Sequence, residues 1–207
     1  MVVVSVCNLE QFKKIKNKTN IISLYIEDIN GDYLHKINIH QNIKYLFLNA
    51  TIDKKIKLSC HITKLLLYCV FKLNTQIKIP QNVTHLSFKY YYTTQIKIPQ
   101  NVTYLTIECG NYNNYNNNKK IKIPQNVTHL KLKQIYLKTK IIIPQHVIYL
   151  KFTCIYFSKY VLSNNVISLN FGFERIKKIK IPHNIFQLYF NDNNLFNHHN
   201  LNKVLFN

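Results

Sequence analysis

His85 and His129 occupy one place in two near-identical strings, THLSF and THLKL, and are the first residues here that could hold a metal or move a proton. If those strings stack as strands, two rungs separate the imidazoles, about 9–10 Å. Two nitrogens on one zinc must each lie about 2 Å from it, so the pair cannot share an ion. His198 and His199 are adjacent in a polar tail with no HExxH or CxxC context. Acid–base hydrolysis fares no better. Glu27 and Glu108 share a register four rungs apart, about 19 Å, against the roughly 5–9.5 Å between glycosidase carboxylates. No Gly-rich phosphate cradle and no nucleophile elbow is present. The residues predict no catalytic, metal or cofactor site, and the chain is expected not to be an enzyme.

What the side chains can do is recognise. The residue before each repeated leucine forms a ladder of Tyr45, Lys64, His85, Tyr104, His129, Tyr149, Ser168 and Gln187, and the residue after it adds Phe47, Leu66, Ser87, Thr106, Lys131, Lys151, Asn170 and Tyr189. Aromatic and imidazole rings in line on a sheet offer contact area and a polar tip at small entropic cost. His85, Tyr104, His129, Tyr149, Lys131 and Lys151 are therefore the candidate partner-binding residues on the strand face. The bland explanation is that Tyr and Thr simply favour strands. A second ladder, Lys57, Lys78, Lys97, Lys122 and Lys180, is the candidate for the alternative, non-specific polyanion binding to nucleic acid or an acidic surface. With a single arginine, Arg175, bidentate phosphate or base recognition has little to work with.

These ladders depend on the elements that carry them. IKIPQNVTHLSF at Ile77–Phe88 returns almost unchanged at Ile96–Ile107 and Ile121–Leu132, with weaker copies at Ile37–Leu48, Ile56–Leu67, Ile141–Phe152, Tyr160–Phe171 and Ile179–Phe190. The centring leucines are Leu24, Leu46, Leu65, Leu86, Leu105, Leu130, Leu150, Leu169 and Leu188, at steps of 19–25 residues. All five prolines (Pro80, Pro99, Pro124, Pro144, Pro182) share one register. V-x-x-L-x-F predicts one short strand per copy with Val, Leu and Phe inward. I-x-I should be extended before its proline, and the asparagine of Pro-Gln-Asn suits a corner, bonding its own backbone. Periodicity of this kind predicts a mainly β solenoid of about nine to ten short repeats.

The domain reading is an N-terminal edge strand and cap over 1–19, a repeat solenoid over 20–190 with a loop insertion at 110–120 (GNYNNYNNNKK), and a C-terminal partial repeat or tail over 191–207. Asn200–Phe206 looks like a compressed tenth strand, and an uncapped last rung invites edge-to-edge self-association. Cys69, Cys109 and Cys154 fall four residues after their leucines and are expected as buried filler. Five cysteines without a CxxC pair suit a reducing compartment, and no secretory signal or bilayer-spanning run is visible, so an intracellular, cytoplasmic protein is expected. The formal charge of +20 accompanies an Ile-, Lys- and Asn-rich composition that mutational drift toward AT-rich codons also produces.

IPQNVTHLSF, IPQNVTYLTI, IPQNVTHLKL and the Phe-Gly step of LNFGFERIKKIKIP (Leu169–Pro182) resemble the FNIP-repeat proteins, a leucine-rich-repeat-like group of amoebae and large DNA viruses. The resemblance spans about Asn20 to Phe190. It departs at the Phe-Asn element, mostly lost here, and at Asn in place of the usual small Ser before Val. It implies a leucine-rich-repeat-like β-solenoid, a protein-interaction role with an unidentified protein partner, no catalytic residues, and a host-cell location if the source is viral. Residues 1–19 are too short for the F-box that some of these proteins carry.

Overall fold

The computed structural model describes residues 3–15, 19–28, 30, 33–52, 54–71, 77–90, 96–109, 122–133, 143–153, 165–172, 180–181, 186–191 and 205–206. The chain forms two compact units, Met1–Val102 and Thr103–Asn207. The expected insertion at 110–120, Cys154 and His198–His199 lie outside the described residues.

In the first unit, β1 (Val3–Val6), β2 (Ser23–Asp28), β3 (Tyr45–Ile52), β4 (Lys64–Leu67) and β6 (His85–Tyr90) form a parallel ladder in that order. A short strand, β5 (Val70–Phe71), pairs with the end of β3. Register follows the leucines: Leu24, Leu46, Leu65 and Leu86 are successive Cα partners. The second unit repeats the design with β7 (Tyr104–Cys109), β8 (His129–Lys133), β9 (Tyr149–Thr153), β10 (Ser168–Gly172) and β12 (Gln187–Asn191), whose Leu105, Leu130, Leu150, Leu169 and Leu188 align in turn. Among the described residues nine strands are thus leucine-centred, and β1 adds one without the repeat's leucine.

The core is the inward half of the alternation. Val83, Leu86 and Phe88, then Val102, Leu105 and Ile107, then Val127, Leu130 and Leu132 are buried, as are Ile77, Ile79, Ile98 and Ile123 of the I-x-I segments. Period-2 alternation explains both halves of the observation: inward apolar side chains leave water, while the intervening Lys57, Lys78, Lys97 and Lys122 stay exposed. Cys69 is buried in the same register, its thiol pushed up to about 12 by burial and its Sγ 3.6 Å from the Leu48 carbonyl.

Corners are closed by the backbone. Val83, Val102, Val127 and Val147 N–H donate to the carbonyls of Pro80, Pro99, Pro124 and Pro144. The asparagines serve the neighbouring rung instead of their own backbone. Asn82 Nδ2 donates to the Cys60 carbonyl (2.8 Å), Asn101 to Gln81 (2.9 Å) and Asn165 to Gln145 (2.8 Å). At these three corners a carbonyl of one repeat is met by the next repeat's side-chain amide, which gives the residue type a reason to recur there.

At the N-terminus, α1 (Leu9–Ile15) buries Phe12, and Asn8 Oδ1 accepts from Gln11 N (2.9 Å) as its N-cap. Asp28 is buried in the inward register and accepts from the backbone N–H of Tyr33 (3.0 Å) and Leu34 (2.7 Å), fixing the 3-10 turn Leu34–Lys36. At the other end, β13 (Leu205–Phe206) pairs with β11 (Lys180–Ile181) in a separate two-stranded sheet. The expected tenth rung is therefore not a continuation of the ladder: its described residues lie beside the I-x-I segment of the preceding repeat. Among the described residues, no helix is long and apolar enough to cross a membrane.

Candidate functional site

The outward side chains of the second unit form two rows. Register aligns Tyr104, His129, Tyr149, Ser168 and Gln187 in the first. Two residues further along each strand, on the same face, Thr106, Lys131 and Lys151 form the second, with Asn170 next in backbone register. Parallel pairing at about 4.8 Å per rung puts rings at stacking distance. Tyr104 and His129 have centroids 4.1 Å apart at 23°, and His129 and Tyr149 4.4 Å apart at 19°. The rows border an open depression of about 370 Å³, with Ser168 at one end.

Electrostatics distinguish this face. Lys131 and Lys151 are direct cross-strand partners. Burial, then Lys133 and Lys151, hold the Lys131 ammonium below its ordinary range, with Glu108 opposing. Glu108 forms its ion pair with Lys133 (3.4 Å). Burial lowers the pKa of His129, whose Nδ1 lies 2.9 Å from Thr128 Oγ1. Two ammoniums side by side, with the nearby carboxylate turned to a third, make a positive edge along an aromatic row.

Five of the six residues singled out on the strand face, Tyr104, His129, Tyr149, Lys131 and Lys151, line this depression. His85 is on β6 of the first unit, where it pairs with Lys64 and has Nδ1 2.9 Å from Thr84 Oγ1. Of the lysine ladder, Lys57, Lys78 and Lys97 are exposed on the first unit and Lys122 on the second. The side chain of Lys180 lies outside the described residues.

Other contacts were not anticipated. In the first unit Tyr25 stacks on Phe47 (4.4 Å, 11°), Phe47 meets Tyr68 (5.2 Å), and Lys64 Nζ lies 5.1 Å from the Tyr45 ring centroid. Asn49 Nδ2 donates to Glu27 Oε1 (3.1 Å). Following the outward register one step further, to the third residue after each leucine, identifies Glu27, Asn49 and Tyr68 in the first unit and Glu108 and Lys133 in the second. Exposed Phe186 and Ile167 carry no such signal, because apolar residues at strand starts also occur as core.

A parallel ladder of leucine-centred strands defines a repeat solenoid, and the comparisons place it more narrowly. The FNIP Repeat family model matches residues 74–110, so the chain carries this repeat there. The fold is of the leucine-rich-repeat type. It is similar to the crystal structure of CroV588, a giant-virus protein described as a novel circular LRR protein structure, with a TM-score of 0.57 at 19% identity. That match covers 92% of this chain and 31% of CroV588, so the chain spans about a third of its neighbour's length. No curated protein matches the chain. Repeats of this fold are commonly non-catalytic protein-interaction scaffolds.

Proposed function

We propose that the chain is a non-catalytic scaffold that binds a protein partner through the strand face of its second unit, with Tyr104, His129, Tyr149, Lys131 and Lys151 as the contact residues. The observation that carries this reading is the exposed Tyr104–His129–Tyr149 stack beside the Lys131–Lys151 pair. Tyr104 and Tyr149 remain 42% and 41% exposed despite stacking, so each keeps surface that a partner can reach. Rings already held in a stack lose little freedom on binding. His85, on the strand face of the first unit, is a separate candidate contact residue. An intracellular setting, in the host cell for a viral protein, suits the cysteine usage.

A pull-down from cell lysate at low and high salt, with Tyr104→Ala/Tyr149→Ala beside the parent, tests the proposal. A discrete protein retained at high salt and lost with the double variant supports it. The exposed lysines Lys57, Lys78, Lys97 and Lys122, with Lys180, favour a second reading, a non-specific polyanion binder. That reading predicts nucleic acid released by salt and indifferent to the double variant. Size-exclusion chromatography tests edge-to-edge self-association. The last ladder strand, β12, has no partner on its outer edge among the described residues.

A further inference from the structure

The first row of the second unit loses its ring at Ser168. Tyr104, His129 and Tyr149 stack at 4.1 and 4.4 Å, leaving no gap between them for a guest. At the next rung the register brings a serine, buried as the floor of that end of the depression, and the rung after brings Gln187. The ring of Tyr149 therefore faces a place that the repeat fills with an aromatic or imidazole side chain at the three preceding rungs and here fills with Cβ and a hydroxyl. Tyr149 and Gln187 are two rungs apart, about 9–10 Å, a separation that has room for one ring between them.

Two features fix what enters. The residues preceding Ser168 and Gln187 are Ile167, 40% exposed, and Phe186, 87% exposed. At the three earlier rungs that position is Thr103, Thr128 and Ile148, and the Thr128 hydroxyl donates to the Thr103 carbonyl. The corner thus turns apolar one rung before the ring is lost, at Ile148, and stays apolar through Ile167 and Phe186. On the same face of β9 as Tyr149 is Lys151, paired across the strands with Lys131. The site combines the end ring of the stack, exposed apolar residues next to it in sequence and two neighbouring ammoniums.

We infer that the place above Ser168 receives one aromatic side chain of an acidic partner segment, the ring continuing the stack on Tyr149 and an adjacent carboxylate meeting Lys151 and Lys131. The inference rests on the strand face being the recognition surface and names the partner's chemistry there. Single-stranded nucleic acid is the less favoured guest: it needs a series of open ring faces for successive bases, and within this stack the faces cover one another.

The test is titration of the full chain, followed by amide NMR shifts, with capped pentapeptides: Glu-Glu-Tyr-Glu-Glu, its alanine-centred counterpart Glu-Glu-Ala-Glu-Glu, and Lys-Lys-Tyr-Lys-Lys, and with a thymidine octanucleotide. The ring-bearing acidic peptide should bind with shifts centred on Tyr149, Lys151 and Ser168, about tenfold tighter than the alanine peptide, and the basic peptide should not bind. Ser168→Tyr supplies the missing ring from the chain itself, a change the register accepts at Tyr104 and Tyr149, and should remove the preference for the ring. Equal affinity of the two acidic peptides, a preference surviving in Ser168→Tyr, tighter binding of the octanucleotide, or no binding of the ring-bearing acidic peptide at millimolar concentration would each overturn the inference. The broader reading fails separately, when Tyr104→Ala/Tyr149→Ala leaves lysate capture unchanged.

Discussion

Lys131 and Lys151 are direct Cα partners on adjacent parallel strands, and their side chains stand on the same face beside stacked rings. Like charges opposite one another oppose folding, and Lys131 is held below its ordinary range by burial first, then by Lys133 and Lys151. A solenoid that needed only stability would place a neutral or acidic residue at one of the two positions.

Lys151→Gln should therefore stabilise the fold while weakening partner capture. The expected gain is about 0.2–1 kcal/mol in urea denaturation, falling as salt is added. Reduced stability in this variant would remove the argument that the pair is kept for binding.

His129 gives the face a pH dependence whose sign follows from burial. Its folded pKa lies below the ordinary value of 6.5, so the unfolded chain takes up a proton first as pH falls. The stabilisation is present above that value and lost as pH falls below it, down through the lowered folded pKa. Denaturation midpoints at pH 8 and pH 5 should differ less in His129→Asn than in the parent, beyond the acid sensitivity common to both.

Asp28 was legible as a strand residue facing away from Glu27, but not as a structural carboxylate. It accepts two backbone N–H bonds in a buried site. Asp28→Ala leaves those donors unmet and should cost about 2–4 kcal/mol, measured by thermal or urea unfolding. Asp28→Asn, which keeps an acceptor oxygen, should cost less.

The asparagines of the corners make a similar point about reach. Asn101→Ala removes a 2.9 Å bond to the Gln81 carbonyl, one rung away, and should cost about 0.5–1.5 kcal/mol. If the residue served its own turn, as the local sequence suggests, Asn101→Gly would preserve stability. Bonding across rungs predicts that both variants lose it.

These residues show where sequence was sufficient. Val, Leu and Phe at period 2 with one leucine every 19–25 residues dictate inward strands and in-register pairing, so the core and both outward rows follow from arithmetic on positions. Tyr104, His129 and Tyr149 could be placed together because each precedes its leucine. Register says which residues are neighbours in a row, but not where the chain divides into compact units. Nor does it report which carbonyl an exposed amide meets. The C-terminal residues show the limit most clearly. Leu205 and Phe206 fit an alternating pattern, yet they pair with Lys180 and Ile181 of the I-x-I segment, because two apolar residues carry too little pattern to select one side of a repeat.

The central claim is that a partner contacts the strand face of the second unit, and site-directed photo-crosslinking tests it most directly. A photoreactive phenylalanine analogue is placed at Thr106, inside the depression, or at Lys122, on the I-x-I segment of the same unit. The account predicts a discrete protein adduct from position 106 that is absent from position 122 and survives nuclease treatment. An adduct formed at 122 and not at 106, or one removed by nuclease, would contradict it.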